Sequence, residues 1–228
     1  MKKRLNSYQG KLSPAQIAQG MNAAATNAQR LVSDASALLE LRRFPTAASL
    51  AILAIEEAGK ISILRSLSLA RTNSELLDAW KDYRSHIRKN VAWIMPQLFA
   101  EGARKLDDFK PTFDKDSDHP YLLDQIKQLG FYTDCLGQAY WSIPDAAIDE
   151  SLARMLVKIA ALLAGKDKHT EMEVELWVKH MGPVWKKSLA QMRLALVNWH
   201  AAMQKSGFTP DGPDEMDRFV YGDTGRPM

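Results

Sequence analysis

The stretch from Pro45 to Arg71, PTAASLAILAIEEAGKISILRSLSLAR, constrains the fold more than any other part of the chain. A helix drawn through it is apolar on nearly every side, so it has to be buried among other helices rather than laid on a surface. Into its middle the sequence sets Glu56, Glu57 and Lys60. Charged groups are rarely buried unless paired or functional. Glu56 to Lys60 is the favourable i,i+4 order and Glu57 to Lys60 is i,i+3, so an internal ion pair that fixes helix register is one reading. A functional site is the other. Ala58 and Gly59 leave room beside these charges for another backbone or a ligand.

Helical spacing continues on both sides. Ser13-Pro14 reads as N-cap and first helical residue, and Ile17, Met21, Ala24, Ala28, Leu31, Ala35 and Leu38 follow at helical intervals as far as Arg42-Arg43. Phe44-Pro45 is a short connection, so these first two helices should pack antiparallel. A third helix is expected from Asn73 or Ser74 to about Leu98, kinked at Pro96. Residues 106–119, rich in aspartate, read as an exposed loop without the glycine and closing glutamate of a calcium loop. A short helix over Tyr121 to Leu129 leads into GFYTDCLGQAYWSIP, the one place where a strand or hairpin is expected. Asp145 to Gly165 is a fourth helix. Thr170 and Glu173 form a capping box opening a last long helix to about Lys205, bent at Gly182-Pro183.

The fold class is therefore all-α, a bundle of long antiparallel helices with a short irregular or hairpin insertion. Residues 1–12 read as a flexible basic arm, 13–206 as the helical domain and 207–228 as a loose C-terminal tail. The 228 residues, 46% of them hydrophobic, suffice for one large core. A net charge of +3 does not by itself indicate a nucleic-acid binder, although a pI near 8.9 leaves RNA open. The single cysteine, Cys135, excludes an intrachain disulfide framework, suggests a reducing compartment, and reads as a small packed residue. No apolar run approaches the roughly 20 residues that cross a bilayer, so a cytoplasmic protein with no membrane contact is expected.

No phosphate loop, dinucleotide fingerprint, zinc-binding HExxH or hydrolase elbow occurs, so no cofactor and no metal is expected. Three groupings can carry chemistry. The first is the triplet Glu56, Glu57 and Lys60. The second is SHIRKN, where Tyr83, His86 and Asn90 form a row beside Arg84, Arg88 and Lys89. The third is Arg193 and His200, seven residues apart and so on one face of the last helix.

EEAGK in a buried second helix, SHIRK in the third and LGFYTD before an aromatic segment ending at Pro144 together resemble the AbiV-type abortive infection proteins of bacteria, a branch of the HEPN superfamily. The resemblance covers roughly Ser13 to Leu163. It implies a helical bundle, a homodimer, and a metal-independent ribonuclease acting on RNA in phage defence. The superfamily signature is R-x(4-6)-H, with histidine and arginine of two protomers meeting at the dimer cleft. Arg193 to His200 fits with six intervening residues, although Leu194 stands where a polar residue is usual. Lys81 to His86 fits only with lysine, which lacks the bidentate fork of arginine. Under this reading a histidine, His86 or His200, deprotonates an RNA 2′-hydroxyl while Arg84, Lys89, Lys60 or Arg193 stabilises the phosphate, with Glu57 beside them. The rival reading is a non-catalytic helical protein that senses a phage component or docks on a host target.

Overall fold

Ser13 starts the first helix: its side chain accepts from the Gln16 N–H, the Gln16 side chain accepts from the Ser13 N–H, and Pro14 occupies the first turn, where no N–H is needed. In the computed structural model, which describes residues 7–114, 116–165, 168–210, 212 and 215–222, this helix, α1, runs Pro14–Glu40. Arg42, with φ of 56°, turns the chain into α2 (Phe44–Ser68). One core cluster joins Leu31, Ala35 and Leu39 of α1 to Ala47, Ile52 and Ile55 of α2, and a second joins Ile17 and Met21 to Leu64 and Leu67. The late half of α1 thus meets the early half of α2, which makes the pair antiparallel as expected.

Beyond α2 the expected long third helix breaks. It becomes α3 (Asn73–Arg84), α4 (His86–Lys89), a 3-10 turn at Val91–Ile94 and α5 (Met95–Ala100). The break lies at Ser85, which is extended and whose hydroxyl caps the Arg88 N–H, while Pro96 sits in the first turn of α5 and kinks nothing. Residues Leu106–Phe113, expected as an exposed loop, form 3-10 turns that bury Phe109 and Thr112. Then come α6 (His119–Phe131), the antiparallel hairpin β1 (Asp134–Leu136) with β2 (Tyr140–Ser142), α7 (Pro144–Ala147) and α8 (Glu150–Leu163). Cys135, expected to be packed, is exposed on β1.

The expected bent last helix is two helices, α9 (Glu171–Met181) and α10 (Leu189–Lys205), separated by a 3-10 turn at Gly182–Val184 and by Lys186 at φ 60°. Thr170 and Glu173 do form the capping box of α9. A final helix, α11 (Glu215–Tyr221), lies in the stretch expected to be a loose tail. Val220 is buried and the Phe219 ring lies 6.1 Å from that of Phe109. The described part of the expected arm is also held, because Trp80 donates to the Gly10 carbonyl and Arg84 to that of Tyr8. Residues 1–6 of the arm and 211, 213, 214 and 223–228 of the tail lie outside the described residues.

The eleven α-helices and one small hairpin of the described residues form an all-α bundle around α2, against which α1, α3, α4, α6 and α8 pack. Alanines at 47, 48, 51, 54 and 58 make that crowding possible, since small side chains allow neighbouring helices to come close on several sides.

Candidate functional site

Glu56 lies at the waist of α2, between the two apolar clusters, and only 2% of it is exposed. A carboxylate there needs partners, and they arrive from two helices. From α6 comes Lys127, on the same stripe as the buried Leu123 and Gly130. A Cβ at Gly130 would collide with the Ser49 hydroxyl and the Pro45 carbonyl, so this glycine lets α6 lie against α2. From α4 come Lys89 and His86. Here a Cβ on Gly59 would collide with the Lys89 carbonyl oxygen, so the space beside Ala58 and Gly59 admits a backbone.

The resulting network is tight. The Lys127 ammonium donates to Glu56 Oε1 at 2.6 Å and pairs with Asp124 Oδ1 at 2.7 Å. The Lys89 ammonium lies 3.2 Å from Glu56 Oε2, and His86 Nδ1 lies 2.6 Å from the same oxygen. Burial pushes the Glu56 carboxyl up, but the hydrogen bonds from Lys127 and His86 and the charges of Lys127 and Lys89 outweigh it and hold the group below its ordinary value. Burial likewise pushes Lys127 down, and its bonds to Asp124 and Glu56 reverse this and hold it above its ordinary value. Glu56 is therefore ionised and accepts. An ionised carboxylate can only accept, so at the 2.6 Å contact His86 Nδ1 is the donor, with the Lys127 ammonium farther from it at 3.4 Å; Nε2 has no partner among the described residues, on a side chain 57% exposed.

Glu56, His86 and Asp124 have donor atoms within 4.8 Å of one another, a grouping that could in principle hold a metal ion. The Lys127 ammonium, however, already bonds both carboxylates, so the position of a cation is filled by the chain itself.

Several expected partnerships are different. Glu56 does not pair with Lys60: Lys60 binds Glu57 at 2.5 Å and lies 5.3 Å over the Tyr83 ring. Both partners of that pair keep 18% side-chain exposure. The bases expected around His86 disperse because the break at Ser85 turns α3 and α4 apart. Arg84 stacks on Trp80 and donates to the Tyr8 and Trp80 carbonyls, Arg88 faces Asp82 at 3.5 Å, and Lys89 is buried on Glu56. Three carboxylates, Glu56, Glu57 and Asp124, thus meet three ammoniums, Lys60, Lys89 and Lys127, and the network is internally neutral.

On α10, Arg193 bonds Asp107 and His200 is buried, so the pair is built into the packing of α10 and not displayed. His119 has both ring nitrogens engaged, by Ser117 and by the Val91 carbonyl, which leaves neither free as a base. Lys127 and Asp124 lie outside the three groupings that the motifs single out. A signal for them exists: in YLLDQIKQLG a lysine falls four residues after Leu123 and three before Gly130, on the apolar stripe, and a lysine there demands a buried carboxylate.

Among the described residues no helix is long and apolar enough to cross a membrane. No curated protein and no solved structure matches the chain. The family model HEPN_AbiV, described as AbiV, matches residues 16–165, which include Glu56, His86, Lys89, Asp124 and Lys127 and stop short of Arg193 and His200.

Proposed function

Since this chain belongs to the AbiV family of HEPN proteins, which points to abortive infection of phage-infected cells, we propose that it is a phage-defence effector and that it acts as a metal-independent endoribonuclease with His86 as its base. The observation that carries this reading is the anchoring of His86 Nδ1 on the buried, ionised Glu56, which leaves Nε2 without a partner among the described residues on a side chain 57% exposed. An imidazole fixed in that tautomer can take the proton of an RNA 2′-hydroxyl. The 2′-oxygen then attacks phosphorus and the P–O5′ bond breaks. The products are a 2′,3′-cyclic phosphate and a 5′-hydroxyl, whose oxygen takes its proton from solvent or from the imidazolium.

The internal neutrality of the network bears on what stabilises the phosphate. Lys89 and Lys127 neutralise carboxylates, so the cation that meets the developing phosphate charge comes from elsewhere. A second copy of the chain is the source we favour, which makes the functional unit a homodimer with a composite cleft. A second reading, a non-catalytic protein docking on a phage or host protein, is favoured by the exposed aromatic residues Tyr140 and Trp141 of the hairpin and Tyr132 at the end of α6.

Purified protein incubated with total RNA in excess chelator should give fragments ending in cyclic phosphate, and His86→Ala should give none while melting normally. In cells challenged with phage, His86→Ala should lose protection. Intact RNA together with full protection by His86→Ala would eliminate the nuclease and leave the docking protein.

A further inference from the structure

The hairpin is bare on both faces. Its strands β1 and β2 pair Cys135 with Trp141 and Leu136 with Tyr140, and beyond a touch they pack on no helix. Successive side chains of a strand alternate between faces, so Trp141 and Cys135 stand on one side and Tyr140 and Leu136 on the other. Tyr140 is 73% and Trp141 71% exposed, and Phe131, Tyr132, Leu136 and Ile143 extend the apolar surface around them. Scaled from their exposures, these six side chains present roughly 600 Å² of apolar area, the upper end of what a monomer displays. A two-stranded hairpin with neither face covered is marginal in water, whereas three or more strands can hold together.

Its two edges differ. The Cys135 N–H donates to the Asp134 carboxylate at 2.7 Å, so the middle amide of β1 is taken up by its own chain. Among the described residues no side chain caps an amide of β2 in this way. Apart from being short, β2 (Tyr140-Trp141-Ser142) has none of the devices that turn another strand away: no lysine, no proline and no bulge.

Charge indicates what covers that edge. From Tyr132 to Ile143 the one charged residue is Asp134, and it lies on β1. A foreign partner is ordinarily selected by complementary charge, which β2 does not offer. A neutral strand can instead meet itself. Across a two-fold axis at position 141, Trp141 faces its own counterpart and Tyr140 faces Ser142, so an aromatic pair forms and no like charges are opposed. The area agrees, because roughly 600 Å² of apolar side chain together with the strand backbone approaches the about 800 Å² that each partner of a stable interface buries.

We infer that β2 is the face by which two copies of this chain meet, their hairpins joining edge to edge into one four-stranded antiparallel sheet. The inference rests on the homodimer reading above and names its interface; it asks nothing of His86.

Light scattering of the full chain at micromolar concentration, with a spin label on its single cysteine, Cys135, tests this. Wild type should have the dimer mass. Trp141→Lys, at an exposed position, should weaken the dimer about tenfold or more while keeping the wild-type circular dichroism spectrum. Leu162→Lys, on an exposed position of α8 outside the hairpin, should stay dimeric. In the strand order β1-β2-β2-β1 the two Cys135 lie three strand spacings apart, about 14 Å, so the labels should report a short distance that Trp141→Lys abolishes. A dimer that survives Trp141→Lys, or is lost equally in Leu162→Lys, or holds its labels far apart, would overturn the inference and leave the homodimer standing. A monomeric wild type would overturn both, and loss of phage protection by Trp141→Lys in that case would assign the hairpin to a foreign protein.

Discussion

Replacing Lys127 by Met keeps the length and the apolar stem of the side chain but removes the ammonium that bonds Glu56 at 2.6 Å and Asp124 at 2.7 Å. Glu56, 2% exposed, is left with Lys89 and His86, while Asp124, with 31% side-chain exposure, can rehydrate. Removing one member of a buried pair typically costs about 3–5 kcal/mol. With two partners remaining on Glu56 the lower end applies, about 3 kcal/mol, or roughly 6–12 °C in melting temperature for a chain of this size. The pH dependence follows from the two shifts. Glu56 is held below its ordinary value of 4.5, so its contribution is complete above that pH and is lost as pH falls through the lower folded value. Lys127 is held above 10.5, so its contribution is complete below that pH and is lost as pH rises through the higher folded value. Urea unfolding monitored by circular dichroism at pH 7 should show the full gap between wild type and Lys127→Met. That gap should narrow in acid as Glu56 is protonated. A gap under about 1 kcal/mol at pH 7, or one that stays constant into acid, would mean that the network does not hold Glu56 as described.

Lys60→Met breaks only the Glu57 pair, whose side chains keep 18% exposure and can rehydrate, and should cost about 1 kcal/mol, well below Lys127→Met in the same unfolding assay. Gly59→Ala drives a methyl group into the Lys89 carbonyl and should cost about 1–3 kcal/mol; because it displaces α4, any activity that depends on His86 should fall further than stability does. His86→Ala, at an exposed side chain, should move the melting temperature by no more than a few degrees, whereas His200→Ala, at a buried one, should lower it clearly; a stable but inactive His200→Ala beside an active His86→Ala would move the site to α10. Light scattering at micromolar concentration should give a dimer mass, and a monomer mass would remove the composite cleft.

The identity of α2 as the buried axis, the capping boxes at Ser13 and Thr170 and the aromatic hairpin are all readable in the chain, because each rests on residues within a turn or two of one another. A helix apolar on every side can only be central, and a serine or threonine followed three residues later by Gln or Glu can satisfy the first free N–H groups with no help from elsewhere. EEAGK, SHIRK and LGFYTD likewise lie as short continuous motifs within the matched residues. The break at Ser85 was harder to read: the apolar stripe runs on past it, and one serine that caps a new turn outweighs that periodicity.

Sequence proximity also suggested the wrong partners for Glu56. Lys60 is four residues away and in favourable order, yet Glu56 pairs with Lys127, 71 residues on, and with Lys89 and His86 from a different helix. An i,i+4 lysine competes only as well as its position on the helix surface allows. At the waist of α2, Gly59 and Gly130 admit α4 and α6 so closely that ammoniums from outside reach the carboxylate, while Lys60 turns to Glu57 and Tyr83. The sequence by itself determined that Glu56 is a charge within a core and that it must be compensated. Which charges compensate one another, and hence which histidine is anchored and left with an open nitrogen, was decided only when three helices packed, because Coulomb and hydrogen-bond energies depend on distance in space and not along the chain.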